Sequence, residues 1–316
     1  MRNSVRYALT MVATGSFISA CSLSPSPVDF ARGDMGRVAQ PRGDSWMLPE
    51  AKGRDLLYVA LGNGLDVYTY PRGKLLGSLG VGGVYLCTDN AQNIFIPAGF
   101  FGNQVLVYAH GATRPKVTLN DPYPAVDCSV DPDSEALAVT GSGGGVVIFP
   151  YDQRRKWRYA KLYSNLAMES SMFCAYDTSG NLFVDGTDST GAFMLAELPK
   201  GSKSFTTIAL NQHINAPGSV QWDGQYLIVA DLGKGEINPS VIYRFSIDGS
   251  SGKKVGTTKL ANSYAHAQFW IQGKTVIGPI AYDSVRSIGF WQFPAGGSPV
   301  KSFSDSVPSG EAVSLK

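Results

Sequence analysis

Apolar and polar positions alternate along this chain in short bursts rather than at helical spacing, and the bursts recur. A five-residue strand pattern returns six times: LLYVA from Leu56, NIFIP from Asn93, ALAVT from Ala136, NLFVD from Asn181, YLIVA from Tyr226 and TVIGP from Thr275. Anchored on Leu57, Ile94, Leu137, Leu182, Leu227 and Val276, the steps run from roughly 37 to roughly 49 residues, the period of a unit with four short strands. The fourth unit is the cleanest. Its strands read SMFCAY (171–176), NLFVD (181–185), AFMLAEL (192–198) and FTTIAL (205–210), with DTSG (177–180) and PKGSK (199–203) as turns. Inner strands are continuously apolar, as stacking face to face requires. Outer strands alternate, as a half-solvated face requires. The pattern predicts an all-β, six-bladed β-propeller.

The ends predict how the ring closes. LLYVA reads as a second strand with no first strand before it, and EAVSL (311–315) is a strand with nothing after it. The C-terminal strand is therefore expected to be the innermost strand of blade one, removing an open sheet edge.

The first twenty residues differ in kind. Arg2 and Arg6 precede an apolar stretch, Tyr7 to Ile18, and then small residues, which reads as a secretory signal peptide over 1–20. ISAC, ending at Cys21, resembles the lipobox of bacterial lipoproteins, which implies lipidation of Cys21 and a membrane anchor in the cell envelope. Residues 21–52 read as a spacer rich in Ser, Pro, Gly and Arg, with Trp46, Met47 and Leu48 expected to dock on blade one. Residues 53–316 are the expected propeller. Removing Arg2 and Arg6 takes the basic count from 27 to 25, level with the 25 acidic side chains. A neutral body argues against a nucleic-acid partner.

DTSGNLFVD (177–185) and QWDGQYLIVAD (221–231) pair an Asp-Gly turn with a Leu-Tyr-Val-like strand. In this the chain is similar to bacterial six-bladed propellers of the NHL and gluconolactonase-like class. The resemblance covers nearly all of 54–316 and implies the architecture. For the calcium lactonases of that class it implies a divalent cation (Ca) as cofactor, held by a Glu at the start of an inner strand and an Asn-bearing loop. Glu311 stands in the first role and Asn215 of NAPG in the second.

Candidate chemistry is sparse. Cys87, Cys128 and Cys174 fall on the inner strands of blades two, three and four, and a residue repeated at one structural position reads as packing. Three buried thiols are expected, with a Cys87–Cys128 or Cys128–Cys174 bridge as the alternative. No CxxC spacing supports a zinc site. His110 falls on a turn far from the axis and is expected to be solvated. Glu169, His213 and His266 precede the inner strands of blades four, five and six, at one mouth of the central channel, where two imidazoles and a carboxylate suit acid–base or metal chemistry. The loops after the second strands open on the same mouth and are longest in blades five and six. Asp231, Glu236 and Asp283 there, with Tyr123, are candidate ligand contacts. Each of these has a plain competing reading as a solvated loop residue. The sequence has no GxSxG elbow, HExxH or phosphate-cradling loop. The expected function is a membrane-tethered, extracytoplasmic binding module for an envelope protein, peptide or glycan. The alternative is a hydrolase or lyase at the channel mouth, dependent on a divalent metal.

Overall fold

The computed structural model describes residues 43–99, 102–141, 143–152, 156, 157, 160–164, 168–233, 240–263, 268–282, 285–303 and 308–316. The leader, Cys21 and most of the spacer lie outside these residues. Six antiparallel sets of four strands follow one another around a ring. Blade one takes Gly310–Ser314, Leu56–Ala60, Leu65–Thr69 and Leu75–Leu79 from the axis outward. Blade two takes Cys87–Thr88, Ile94–Pro97, Gln104–Tyr108 and Val117–Asn120. Blade three takes Ala125–Val130, Leu137–Gly141, Gly145–Phe149 and Lys161–Ser164. Blade four takes Ser170–Tyr176, Leu182–Thr187, Phe193–Leu198 and Thr206–Thr207. Blade five takes Val220–Trp222, Leu227–Asp231, Ser240–Asp248 and Ser251–Leu260. Blade six takes Trp270–Gln272, Thr275–Tyr282, Val285–Gln292 and Gly296–Phe303. The fold is the expected β-propeller. Among the described residues no helix is long and apolar enough to cross a membrane.

Alternation along each strand sends successive side chains to opposite faces, and blade stacking buries both. All six anchor residues, from Leu57 to Val276, are wholly enclosed. The core is accordingly divided into six apolar clusters, one at each blade junction. Ala312 of the closing strand packs into the cluster between blades one and two, and Val313 into the one between blades six and one. That strand pairs with Leu56–Ala60 in unbroken register from Leu56↔Ser314 to Ala60↔Gly310.

Trp46, Met47 and Leu48 dock on blade one as a fifth, outermost strand. Trp46 pairs with Ser78 and Met47 with Gly77, and Leu48 N–H donates to Leu76 O at 2.8 Å. Gly77 is needed for this close approach: a Cβ there would run into the Met47 sulfur. The turn Pro49–Gly53 then buries Ala51 completely.

The turn after each inner strand uses one device in blades two to five. Asp89, Asp131, Asp177 and Asp223 follow the inner strand, and each carboxylate accepts backbone N–H groups from its own turn: Asn93, Asp133, Ser179 with Asn181, and Gln225 with Tyr226. These Asx turns are local, so the Asp-Gly signal in the sequence carries over directly.

Two expectations need correction. Cys87 and Cys128 form a disulfide across the junction of blades two and three, with Cα atoms 5.7 Å apart, and Cys174 alone is a free, buried thiol. The three positions are not equivalent. Counted from the turn aspartates, Cys128 and Cys174 lie three residues before Asp131 and Asp177, whereas Cys87 lies two before Asp89. With a side-chain period of two, that shift turns Cys87 toward blade three while Cys128 faces back at blade two. Both join the cluster of that junction. Cys174 faces blade three, among Ala138, Val146 and Leu182. Its counterpart of Cys87 is Ser129, whose Oγ accepts Tyr176 N–H at 3.0 Å. Tying residues 41 apart lowers the entropy of the unfolded chain by the equivalent of about 3–4 kcal/mol.

Ser129→Cys is therefore expected to form a second bridge, to Cys174. Non-reduced peptide mapping should show the cross-linked pair, and the free-thiol count should fall by one. A count that rises by one would show that the parity argument is wrong.

His110, expected in solvent, is half-buried. Its Nε2–H donates to Arg54 O at 2.9 Å and Nδ1 lies 2.7 Å from Ser314 Oγ, while burial lowers its pKa. The ring closure brings the C-terminal strand against blade two, and the imidazole is caught between them.

Candidate functional site

The inner strands converge on the axis, and their ends nearest the Asx turns enclose a cavity of about 420 Å³. Blades two to six all contribute walls. The rim carries Tyr176 with Asp177 and Trp222 with Asp223, each pair an aromatic residue followed by a turn aspartate, and Trp270 from blade six. Asp127, Cys174 and Gln268 form the floor. Among the described residues no Lys, Arg or His lines the cavity.

Gln268 closes the channel beneath it. Its Nε2–H donates to Leu86 O at 2.8 Å and to Asp127 Oδ1 at 3.2 Å, and its Oε1 accepts Leu86 N–H at 2.9 Å. A side chain entering from blade six thus grips blades two and three across the axis. Gly310 makes room for it, since a Cβ there would press on Gln268 Oε1 and Val84 O.

Two enclosed aspartates clip neighbouring blades together. Asp127 Oδ2 accepts Cys174 N–H at 3.1 Å, from blade three to blade four. Asp185 accepts Phe173 N–H at 2.9 Å within blade four and Gly218 N–H at 3.1 Å from the start of blade five. Burial raises both acids: the Asp127 carboxyl to about 8, and that of Asp185 well above the usual carboxylate range. Their amide hydrogen bonds oppose the shift without cancelling it. Burial, reinforced by the nearby aspartates, also holds the Cys174 thiol and the Tyr85 phenol above their ordinary values.

The residues expected to carry chemistry lie elsewhere. Glu169 is exposed just before the inner strand of blade four, and its backbone N–H donates to Thr187 O. That is the opposite end of a seven-residue strand from the cavity, roughly 20 Å away. His213 is exposed and lines a lateral groove between blades four and five, together with Met194 and Ile208 but without Glu169. Asp231 caps the loop into blade five: its oxygens accept N–H groups of Asn215, Ala216 and Gly233 and the Asn215 side-chain amide. Tyr123 is exposed, beside a surface cleft with Asp121 and Leu162. His266, Glu236 and Asp283 lie outside the described residues.

The donor set for a divalent cation does not fit the residues described. Glu311 is fully enclosed, with neither carboxyl oxygen hydrogen-bonded. Asn215 is bound to Asp231. Among the described residues no three His, Cys, Asp or Glu side chains gather as metal ligands.

The cavity residues missed in the sequence did leave one trace there: Tyr-Asp and Trp-Asp recur at the same turn in blades four and five. Gln268 left none, because it acts across 182 residues of chain.

No family model matches the chain, and no curated protein matches it. Solved structures do. A crystal structure of a nidogen–laminin complex is similar over 83% of this chain and 98% of the other, at 10% identity and a TM-score of 0.62. The crystal structure of a protein of unknown function from Bacteroides caccae is similar over 83% of this chain and 100% of the other, at 11% identity and a TM-score of 0.62. At these identities the likeness is one of fold.

Proposed function

We propose that this protein is a binding module: a propeller tethered to a membrane through Cys21 on the extracytoplasmic side, which receives a projecting part of a partner in its axial cavity. The observation that carries this reading is the axial cavity. Five blades wall it, Gln268 and the Asp127 clip cross its floor, and aromatic side chains of blades four, five and six stand at its mouth. Concave sites of 300–1,000 Å³ with a few convergent polar groups are where proteins hold ligands. Among the solved structures similar in fold is that of a nidogen–laminin complex, a protein–protein assembly. The membrane tether rests on the apolar leader and the ISAC phrase.

Photo-crosslinking in the native envelope tests the reading. A crosslinking residue at Thr178, on the cavity rim, is expected to give discrete adducts that one at Glu169, at the other mouth, does not. Cys21→Ser should move the protein from the membrane to the soluble fraction. Equal adducts from both mouths, or none from Thr178, would remove the cavity from the proposal. A Cys21→Ser protein that stays membrane-bound would remove the tether.

A further inference from the structure

We infer that the axial cavity takes a cationic group, an alkylammonium or guanidinium, held at the Asp127 carboxylate on the floor with Trp222 and Trp270 among the lining side chains. The inference rests on the binding reading above and specifies its ligand chemistry. Three features carry it. The first is charge: Asp127, Asp177 and Asp223 line the cavity, and among the described residues no basic side chain does. The second is the aromatic lining of Tyr176, Trp222 and Trp270, a residue class that attracts cations, with Trp222 braced from behind by stacking on Phe183 at 6.4 Å. The third is the geometry of the floor. Asp127 is held in place by Cys174 N–H and by the Gln268 amide, which is itself fixed by two bonds to Leu86. The acceptor is thus preorganised, and a bound cation would supply the charge partner it lacks.

The environment of Asp127 makes this binding pH-linked. Burial raises the Asp127 carboxyl to about 8, which favours its neutral form below that pH. Among the described residues Tyr85, Cys174 and Asp185 interact with it, and burial shifts all three toward their neutral forms. Gln268 and the Cys174 and Cys128 amides carry no charge. A cation therefore displaces the Asp127 proton, and its affinity follows the deprotonated fraction: low at pH 6 and rising through pH 8.

Calorimetric titration of the full chain in detergent micelles tests this with arginine amide, spermidine and a short peptide carrying one internal arginine. Binding is expected to be at least tenfold tighter at pH 8 than at pH 6, with proton release visible as a dependence on buffer ionisation enthalpy. Asp127→Asn, which keeps an oxygen for Cys174 N–H, should lose at least tenfold in affinity at pH 8 and lose the pH dependence. Trp270→Leu, on the rim and clear of the Asp127 clip, should weaken binding several-fold, which keeps the test open if Asp127→Asn fails to fold. Binding of arginine amide and spermidine points to a small soluble cation. Binding of the peptide alone points to a basic side chain on a partner protein. Either result supports the cationic site. Cations that do not bind the folded protein at pH 8, or that bind equally at pH 6 and pH 8, overturn it. If rim crosslinks at Thr178 persist while all three cations fail, the binding module stands and its cationic specificity falls.

Discussion

Deleting Ser309–Lys316 is expected to abolish the cooperative fold. The segment is small, but it is the inner strand of blade one. Its loss exposes five backbone pairs of Leu56–Ala60 at once and uncovers both adjoining clusters where Ala312 and Val313 close them. It also removes Ser314, which holds His110, and the backbone against which Gln268 packs. A free apolar edge at the axis is a template for pairing with another chain. The whole stability of a domain is about 5–15 kcal/mol, and opening two of six junctions is expected to exceed it. The truncated chain should lack a single melting transition by circular dichroism and elute as aggregate. A synthetic peptide of residues 308–316 added in trans should restore part of the transition. A truncated protein that melts like the parent would refute closure as the source of stability.

The second large effect concerns Glu311, the second residue of that strand. It pairs with Val59, is 0% exposed, and neither oxygen has a hydrogen-bond partner. Burial alone raises its pKa well above the usual carboxylate value, which favours the neutral acid in the folded protein. The unfolded chain releases that proton above about pH 4.3. The sign follows: the folded state binds more protons, so the stability associated with this group is complete below about pH 4 and declines as pH rises toward the folded pKa. The slope is about 1.4 kcal/mol per pH unit. Glu311→Gln has the same shape and no charge to release. It is expected to match the parent near pH 4.5 and to melt at least about 5 °C higher at pH 8, given about 2–4 °C per kcal/mol for a body of this size. Thermal melts of both proteins across that range decide the matter. Parallel curves would mean that Glu311 ionises inside the fold or is not enclosed.

Much of the architecture was legible because propeller blades are local. Strand period, apolar inner strands and Asp-bearing turns are each decided within about ten residues, and repetition makes them conspicuous. The cysteines show legible information passed over. YLCTD and VDCSVD differ by one residue in their distance to the turn aspartate, and in a β-strand one residue reverses the side chain. The distance to the turn aspartate therefore distinguishes Cys87 from Cys128 and Cys174 and points to the Cys87–Cys128 pair.

The site was less legible, for a different reason. Long loops and titratable residues point to the mouth near Glu169 and His213, whereas the axial cavity among the described residues lies at the Asx-turn end. Its shape depends on how far inner side chains reach across the axis once the ring has closed. Gln268 gripping Leu86 and Asp127, Asp185 reaching Gly218, and Glu311 left enclosed all depend on that closure.

By itself, then, the sequence determined the number of units, the direction each strand faces, the turn chemistry and the strand that would complete the ring, since all of these follow from short-range periodicity. Only the tertiary structure decided which polar residues lie at the axis, which of them hold the blades together and which face a ligand, because those roles belong to side chains brought together from distant blades by the closing of the ring.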